Sequence, residues 1–218
     1  MSDSAREQRG WRILAAELRI PWGSRVGAHR MLVIADPSGA AVRQINGLAS
    51  WYDERAGVWR HKPVGYLPTD RLRGYDTLTH PRTWLPIHGV TYGAQPDAWN
   101  VEAAIRRGDV CVLAGEARDL DAAELRVRLE PALSVLKAVN ALSDGPEGGA
   151  GLPYPFLGFG RNSNSFFATA IRALGVSQPR FARPAWLAPG AGDVLLSPEV
   201  LSRLGAVADA PPSPHSGS

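Results

Sequence analysis

The chain has 218 residues, 44% of them hydrophobic and 21% charged, and its formal net charge is +3. A chain of this length buries roughly 70% of its unfolded surface in one core, so we predict a single domain over residues 11–205 with disordered tails at 1–10 and 206–218. The arginines that supply most of the positive charge are scattered among acidic residues, and there is no zinc-finger spacing. This pattern argues against nucleic-acid binding.

Compartment and cofactor follow from what the sequence lacks. No segment approaches the ~20 consecutive apolar residues of a membrane-spanning helix, and the first residues lack the apolar region of a signal peptide. We therefore expect a cytoplasmic protein without a transmembrane segment, and we leave secretion as an effector open. The single cysteine, Cys111, excludes an internal disulfide framework and a cysteine-based zinc site. Because it lies between two valines, we predict inert packing in a buried strand, and no cofactor or metal is predicted.

The first half of the chain favours an antiparallel sheet. Residues 28–35 are apolar and rich in β-branched side chains, Asp36-Pro37-Ser38-Gly39 has the composition of a tight turn, and 41–48 resume an extended pattern. These features predict a β-hairpin. Residues 11–20 alternate too irregularly to decide between strand and loop. The proline-punctuated segment 49–96 predicts loops and short strands, the latter near 58–61 and 84–91.

The second half predicts helices around one strand. Apolar residues at helical spacing, with Gly108 and Gly175 as stops, indicate the helices. Pro131 predicts either a kink or a junction between two helices in the second of them. The predicted elements are a short helix after Pro96-Asp97, a strand at 109–115, and helices at 121–142, 164–174 and 197–204. The fold class is α+β, an antiparallel sheet packed on helices.

The segment Asn162-Ser163-Asn164-Ser165 stands at the start of the helix predicted at 164–174. Backbone N–H groups at a helix start lack intrahelical partners, and Ser or Asn side chains commonly cap them. The same N–H groups can stabilise an oxyanion, so a hydroxyl placed there could attack a carbonyl. Both interpretations, helix cap and nucleophile Ser163, remain open at this point.

A nucleophilic serine needs a base, and His29 is the predicted candidate. It opens the first hairpin strand after small residues, whereas the other histidines lie in loop-rich or terminal sequence. If the hairpin turn has two residues, paired positions sum to 75, and His29 faces Asn46 with Gln44 diagonal on the same face. Either amide could then hold the imidazole in one tautomer.

Two stretches resemble a known bacterial family. "NSNSFFATAIRALG" is similar to the Asn-Ser-Asn-Ser/Thr-Phe helix start of a domain-of-unknown-function family, and "AHRMLVIADPSGAAVRQINGLASWY" resembles its early strands. More distantly, the order of these stretches resembles the permuted papain-like superfamily, which includes NlpC-type peptidases, lecithin-retinol acyltransferase-like enzymes and PPPDE peptidases. The resemblance implies a permuted papain-like, NlpC-like fold.

The resemblance also implies a site. Ser163 takes the position of the superfamily's cysteine, His29 that of the base and Gln44 that of the residue orienting the base. Asn162, Asn164 and Arg161 beside the serine are the predicted substrate-binding residues, the last as a clamp for an anionic group.

The implied activity is a hydrolase or acyltransferase acting on an amide or ester of a small-molecule, peptide or lipid substrate. A serine in place of the cysteine cannot be ionised in the same way and needs a general base during attack. A catalytically inactive binding or adaptor module on the same fold, and a bacterial effector or toxin domain, therefore remain alternatives.

Overall fold

The structure, a computed structural model, describes residues 10–22, 25–62, 64–85, 101–113, 118–142, 151–155, 159–182 and 188–206. The strands are β1 (Arg12–Trp22), β2 (Arg25–Ala35), β3 (Ala41–Asp53), β4 (Val58–Lys62), β5 (Arg71–Asp76), β6 (Val110–Val112) and β7 (Leu152–Pro153). The helices are α1 (Val101–Arg107), α2 (Ala122–Ala141), α3 (Ser163–Ala173) and α4 (Pro198–Ala206).

The strands form one antiparallel sheet in the order β6-β1-β2-β3-β5-β7, and β4 pairs with β3 outside this path. The α+β class with an antiparallel sheet is therefore confirmed, as are the β2–β3 hairpin and the strand near 58–61. β1 resolves the ambiguity of residues 11–20 in favour of a strand. Its irregular sequence pattern has a physical cause, since Ile13 to Ala16 are buried without alternation between two packed layers.

The predicted register of the hairpin is wrong. Val33 pairs with Gln44 and Leu32 with Ile45, so paired positions sum to 77 rather than 75. The cause is a longer turn. Asp36 Oδ1 accepts hydrogen bonds from Ser38 Oγ (2.6 Å) and Ala40 N (2.9 Å), which extends the connection to Ala40, and the register shifts between Ile34 and Ala35.

Beyond the hairpin turn the sheet divides. The paired residues of β2 and β3 end at Leu32 and Ile45, whereas β2 continues along β1 as far as Arg25. From Ile45 onward β3 pairs with β5 instead. We call the region where these two strands have separated the β2–β3 split.

Each face of the sheet carries its own core, because successive side chains of a strand point to opposite faces. On the α3 face, Ile13, Leu32 and Ile45 pack with apolar residues of α2, α3 and α4. On the α1 face, the strand residues that alternate with those of the α3 face pack with the segment after β5 and with α1. The core of the α1 face contains Leu14, Ala16, Met31, Val33, Leu48, Trp84, Leu85, Val101 and Ala104.

A pair of glycines sets the distance between α3 and the sheet. Gly47 of β3 and Gly74 of β5 are directly opposite each other. A Cβ atom at Gly47 would lie 2.7 Å from Cβ of Phe166, and one at Gly74 would lie 2.6 Å from Cε2 of the same ring. The two glycines thus form a notch that receives Phe166, which is 1% exposed. The start of α3 is held against β3 and β5 by this contact.

The predicted helices are confirmed in outline. α3 ends near the expected stop, where Gly175 has φ +69°, and Gly108 with φ +80° follows α1. α2 begins at a capping box of Asp121 and Glu124 and runs through Pro131, so the predicted junction between two helices is wrong. Of the helices described, none combines the length and apolar character required to traverse a lipid bilayer.

Several predictions fall outside the described residues. They concern the tails apart from Gly10 and Ala206, the first residues of the helix after Pro96, and the strand proposed at 84–91 beyond Leu85. Trp84 and Leu85 themselves are not in a strand and follow a single 3-10 turn at Pro81–Thr83.

Candidate functional site

The polar segment Asn162–Ser165 caps α3. Asn162 is the N-cap residue, and its Oδ1 accepts hydrogen bonds from Asn164 N (2.7 Å) and Ser165 N (3.3 Å). Ser165 Oγ accepts in return from Asn162 N (3.2 Å), which completes a capping box with serine in the third helical position. The expected cap is confirmed, with Asn162 as the capping residue.

Asn164 fastens the start of α3 into the β2–β3 split. Its Oδ1 accepts from Arg30 N (2.9 Å), and its Nδ2 donates to Ala28 O (3.0 Å) and to Pro189 O (3.0 Å). In an antiparallel strand the C=O of one residue and the N–H two residues later face the same neighbour. The side-chain amide of Asn164 therefore takes the hydrogen-bonding place that β3 vacates.

A chain segment at 188–191 covers this helix start. Pro189 O also accepts from Asn162 Nδ2 (2.9 Å), and Gly190 O accepts from Ser165 Oγ (3.1 Å). Gly190 has φ +72°, and a Cβ there would collide with Ser165 Oγ and with Gly160 O. The close approach of this segment to Ser165 depends on the glycine. Ser163, the first residue of the helix, is 4% exposed.

Ser163 is the first residue of α3 and faces Tyr154. Its Oγ lies 3.5 Å from the Tyr154 hydroxyl oxygen. Burial raises the pKa of Tyr154 above its usual value near 10, and hydrogen bonds from the hydroxyl and the backbone N–H of Ser163 partly oppose that shift. The hydroxyl and the backbone N–H of Ser163 are thus both directed at a neutral phenol.

The helix-start N–H groups that could stabilise an oxyanion are bonded within the chain. Asn162 supplies the acceptor for the N–H of Asn164 and Ser165 through its side chain, and for that of Phe166 through its carbonyl oxygen (3.0 Å). A negatively charged oxygen at this position would have to displace the Asn162 cap.

His29 is 1% exposed and pairs with Leu18 of β1. Leu18 packs against the core of the α1 face, and directly paired residues share a face of the sheet. The next residue, Arg30, lies on the other face, where its guanidinium is 5.1 Å from the centroid of Phe181 in the core of the α3 face. Strand alternation therefore directs the His29 imidazole away from the face on which α3 packs.

The structure thus brings Ser163 and the backbone around His29 into one neighbourhood, since Asn164 bonds to the peptide groups on both sides of that histidine. It does not bring Gln44 to His29. Gln44 Oε1 accepts from Leu85 N (2.9 Å) and its Nε2 donates to Leu85 O (2.9 Å). Both polar ends of Gln44 hold the segment after β5 against the α1 face.

Asn46 is not opposite His29, because in the observed register it pairs with Tyr75 of β5. Its Nδ2 donates to Thr83 O (3.2 Å) and lies 3.4 Å from Gln44 Oε1. Asn46 and Gln44 belong to one buried polar group that binds the 83–85 segment, so neither amide orients the histidine.

Two candidates remain, Arg161 and Cys111. Arg161 is exposed and lines a groove near the end of α3 and the start of α4. Burial raises the pKa of Cys111 to about 11, so its thiol is protonated at neutral pH, and its Sγ lies 3.8 Å from Ala15 O. Across the described part of the chain, no cluster of three or more His, Cys, Asp or Glu side chains is arranged to hold a metal ion.

Sequence reasoning missed the residues that complete this site. Tyr154 contacts Ser163, Pro189 O binds both asparagines, and Thr169 donates to Ser165 O (2.6 Å) while accepting from Leu195 N (2.9 Å). The turn composition around Pro189-Gly190 is the only signal present in the sequence. It predicts a turn but not that the turn covers a helix start.

Comparison of the chain with family models, with curated proteins and with solved structures gives no match. The resemblance to papain-like proteins therefore stays a prediction.

Proposed function

We propose that this protein is a binding module without hydrolase chemistry and that the Asn162–Ser165 segment has an architectural role. One observation carries the proposal. The amides of Asn162 and Asn164 and the N–H groups of the first turn of α3 all bond to groups of the same chain. A site for acyl transfer needs free donors directed at the place where negative charge develops.

The position of His29 supports the same function. A general base must come within about 3 Å of the hydroxyl whose proton it removes. Alternation along β2 directs His29 to the α1 face, whereas Phe166 and Phe167, which follow Ser163 in α3, pack in the core of the α3 face. Ser163 is directed at the Tyr154 phenol, which burial keeps protonated and therefore unable to act as a base.

A serine hydrolase or acyltransferase with a papain-like fold is the second candidate. The observation that favours it is the pair of hydrogen bonds from Asn164 to Ala28 O and Arg30 N, which hold the start of α3 against the peptide groups flanking His29. In that mechanism Ser163 Oγ attacks the carbonyl carbon, His29 takes the hydroxyl proton and returns it to the leaving group, and the first turn of α3 binds the oxyanion.

Labelling with a fluorophosphonate separates the two candidates, because the reagent modifies only an activated serine. We expect no labelling of the wild-type protein, since Ser163 is 4% exposed and faces the protonated Tyr154 phenol rather than a base. Labelling of the wild type that is lost in Ser163→Ala and in His29→Ala would establish the hydrolase instead.

The matched control is Ser177→Ala, which removes an exposed serine after α3. Its labelling must equal that of the wild type. Circular dichroism of each variant at the labelling temperature distinguishes loss of labelling from loss of the fold.

A further inference from the structure

An arginine-lined groove lies between the last turn of α3 and the start of α4. Its volume is about 1000 Å³, at the upper end of the range for small-molecule pockets. Of the described residues, three arginines line it, Arg128 of α2, Arg161 ahead of α3 and Arg172 in the last turn of α3. Within that described lining there is no acidic side chain.

Two of these arginines have no acidic partner among the described residues. The side chains of Arg161 and Arg172 are exposed and form no ion pair with any residue in the described ranges. Arg43, by contrast, is paired with Asp76, and Arg30 with Glu17. Arg161 precedes α3 and Arg172 belongs to its last turn, so the backbone positions of the two arginines are separated by about 16 Å of helix.

The groove also has an apolar part. Val194, Leu195, Leu196, Leu201 and Leu174 line it, together with Ser197 and Ser202. Val194 keeps 37% of its surface exposed although it lies beside buried leucines. A ligand that matches this surface has an anionic group that can bind a guanidinium and an aliphatic part that can pack on the apolar residues of the groove.

The start of α4 is not part of the charge argument. Hydrogen bonds from Ser197 and from its own backbone N–H lower the pKa of Glu199, so an ionised carboxylate already interacts with that helix start. Glu199 is absent from the lining of the groove. The guanidinium groups are therefore the anchors for an incoming anion.

We infer that this groove binds an amphipathic anion, a carboxylate or phosphate group carried on an aliphatic chain. The inference rests on the proposed binding function and names its ligand class. Arg161 or Arg172 binds the anionic group through paired N–H donors, and the aliphatic chain lies on the 194–196 segment and Leu201. Arg161, predicted from its place beside the serine motif, would then act at the groove rather than at Ser163.

Isothermal titration with octanoate and with octyl phosphate, both below their micelle concentrations, tests the site. We expect saturable binding of at least one of them, and the tighter of the two identifies the anionic group. The neutral analogue 1-octanol should bind at least about tenfold more weakly. Raising NaCl from about 0.05 M to about 0.5 M should weaken binding of the anion, because the guanidinium groups are exposed to salt.

The variant Arg161→Gln/Arg172→Gln should weaken binding at least about tenfold, whereas Arg180→Gln, which removes an exposed arginine outside the groove, should change it less than about twofold. Saturable binding that is equal for octanol, unaffected by salt or retained in the double variant would overturn the inference, as would no binding of either anion. Fluorophosphonate labelling reports on Ser163 independently. A labelled serine with intact anion binding would overturn only the proposed function.

Discussion

A single side chain, Asn164, replaces a stretch of strand pairing in the sheet. Its amide oxygen and nitrogen bond to Arg30 N and Ala28 O, the two β2 groups that β3 leaves when it turns to β5. Buried backbone groups without partners are costly, so an amide at this position stabilises the split. The same residue was predicted to bind substrate, but the contacts of its amide atoms are with backbone atoms of the chain.

Replacing Asn164 with alanine should lower the free energy of unfolding by about 2–4 kcal/mol, because it leaves one buried and one partly buried β2 group without partners. Denaturant unfolding measures the change. The Arg30 amide should also exchange with solvent markedly faster, which a general loss of packing would not confine to this site. Gln178→Ala, which removes an exposed amide after α3, should stay within about 0.5 kcal/mol of the wild type. An Asn164→Ala protein as stable as that control would contradict the assigned role.

Residue types predicted hydrogen bonds where both partners lie close together along the chain. A cap within residues 162–165 could be predicted from the sequence, although not which residue supplies it, because the bonds of Asn162 reach only two and three residues along the chain. The partners of Asn164 and Gln44 could not, because they lie 134 and 41 positions away. An asparagine has the same propensities whether its amide meets a substrate or a distant peptide group.

At the scale of the elements, α3 is seated by the glycine notch of β3 and β5. Gly47 and Gly74 pair directly, and the Phe166 ring occupies the space that their missing side chains leave. The notch fixes the height of α3 over the sheet. It thereby brings the helix start to the level at which Asn164 reaches β2.

The substitution Gly47→Ala should destabilise the protein by about 1–3 kcal/mol, because its Cβ would lie 2.7 Å from Cβ of Phe166 and the helix would have to move. Thermal or denaturant unfolding measures the effect, and Phe166→Leu in the same chain should recover part of it. Gly192→Ala is the control, since nothing lies within 4 Å of a Cβ there. Equal stability of the two alanine variants would show that the notch is not a constraint.

The elements that the sequence predicted well are those with a complete local pattern. α3 has its cap, its apolar period and its Gly175 stop, and the β2–β3 hairpin has its turn residues. β5 escaped specific prediction because it lies among turn and proline residues and owes its strand conformation to pairing with β3. The predicted hairpin register was wrong because the Asp36 side chain lengthens the turn. The amino-acid sequence of the turn does not reveal this.

For the whole molecule, the sheet is the shared wall of two cores. β1, β2 and β3 each contribute residues to the α3 face and to the α1 face. Loss of one core removes the support of the other, since the same strands carry both. We therefore expect the described domain to unfold as one cooperative unit.

Substitutions that create a cavity in one core test whether the domain unfolds cooperatively. Leu72→Ala on the α3 face and Leu48→Ala on the α1 face remove fully buried side chains, and each should cost about 3 kcal/mol. Calorimetry and circular dichroism should still report a single coincident transition in both variants. Leu78→Ala, at a residue that is 63% exposed, should change stability by less than about 0.5 kcal/mol. Two separated transitions in either core variant would mean that the faces fold independently.

The α+β class, the hairpin, the helices and a cap within residues 162–165 could be predicted from the amino-acid sequence, because each depends on bonds and periodicities that span only a few residues. Only the tertiary structure decided the face of the sheet on which His29 lies, since that depends on which residues of β1 and β3 pair with β2. It also decided that Asn164 meets the backbone of β2 and that three arginines from two parts of the chain line one groove. These features join residues far apart along the chain, and their energies arise only once the strands and helices have packed.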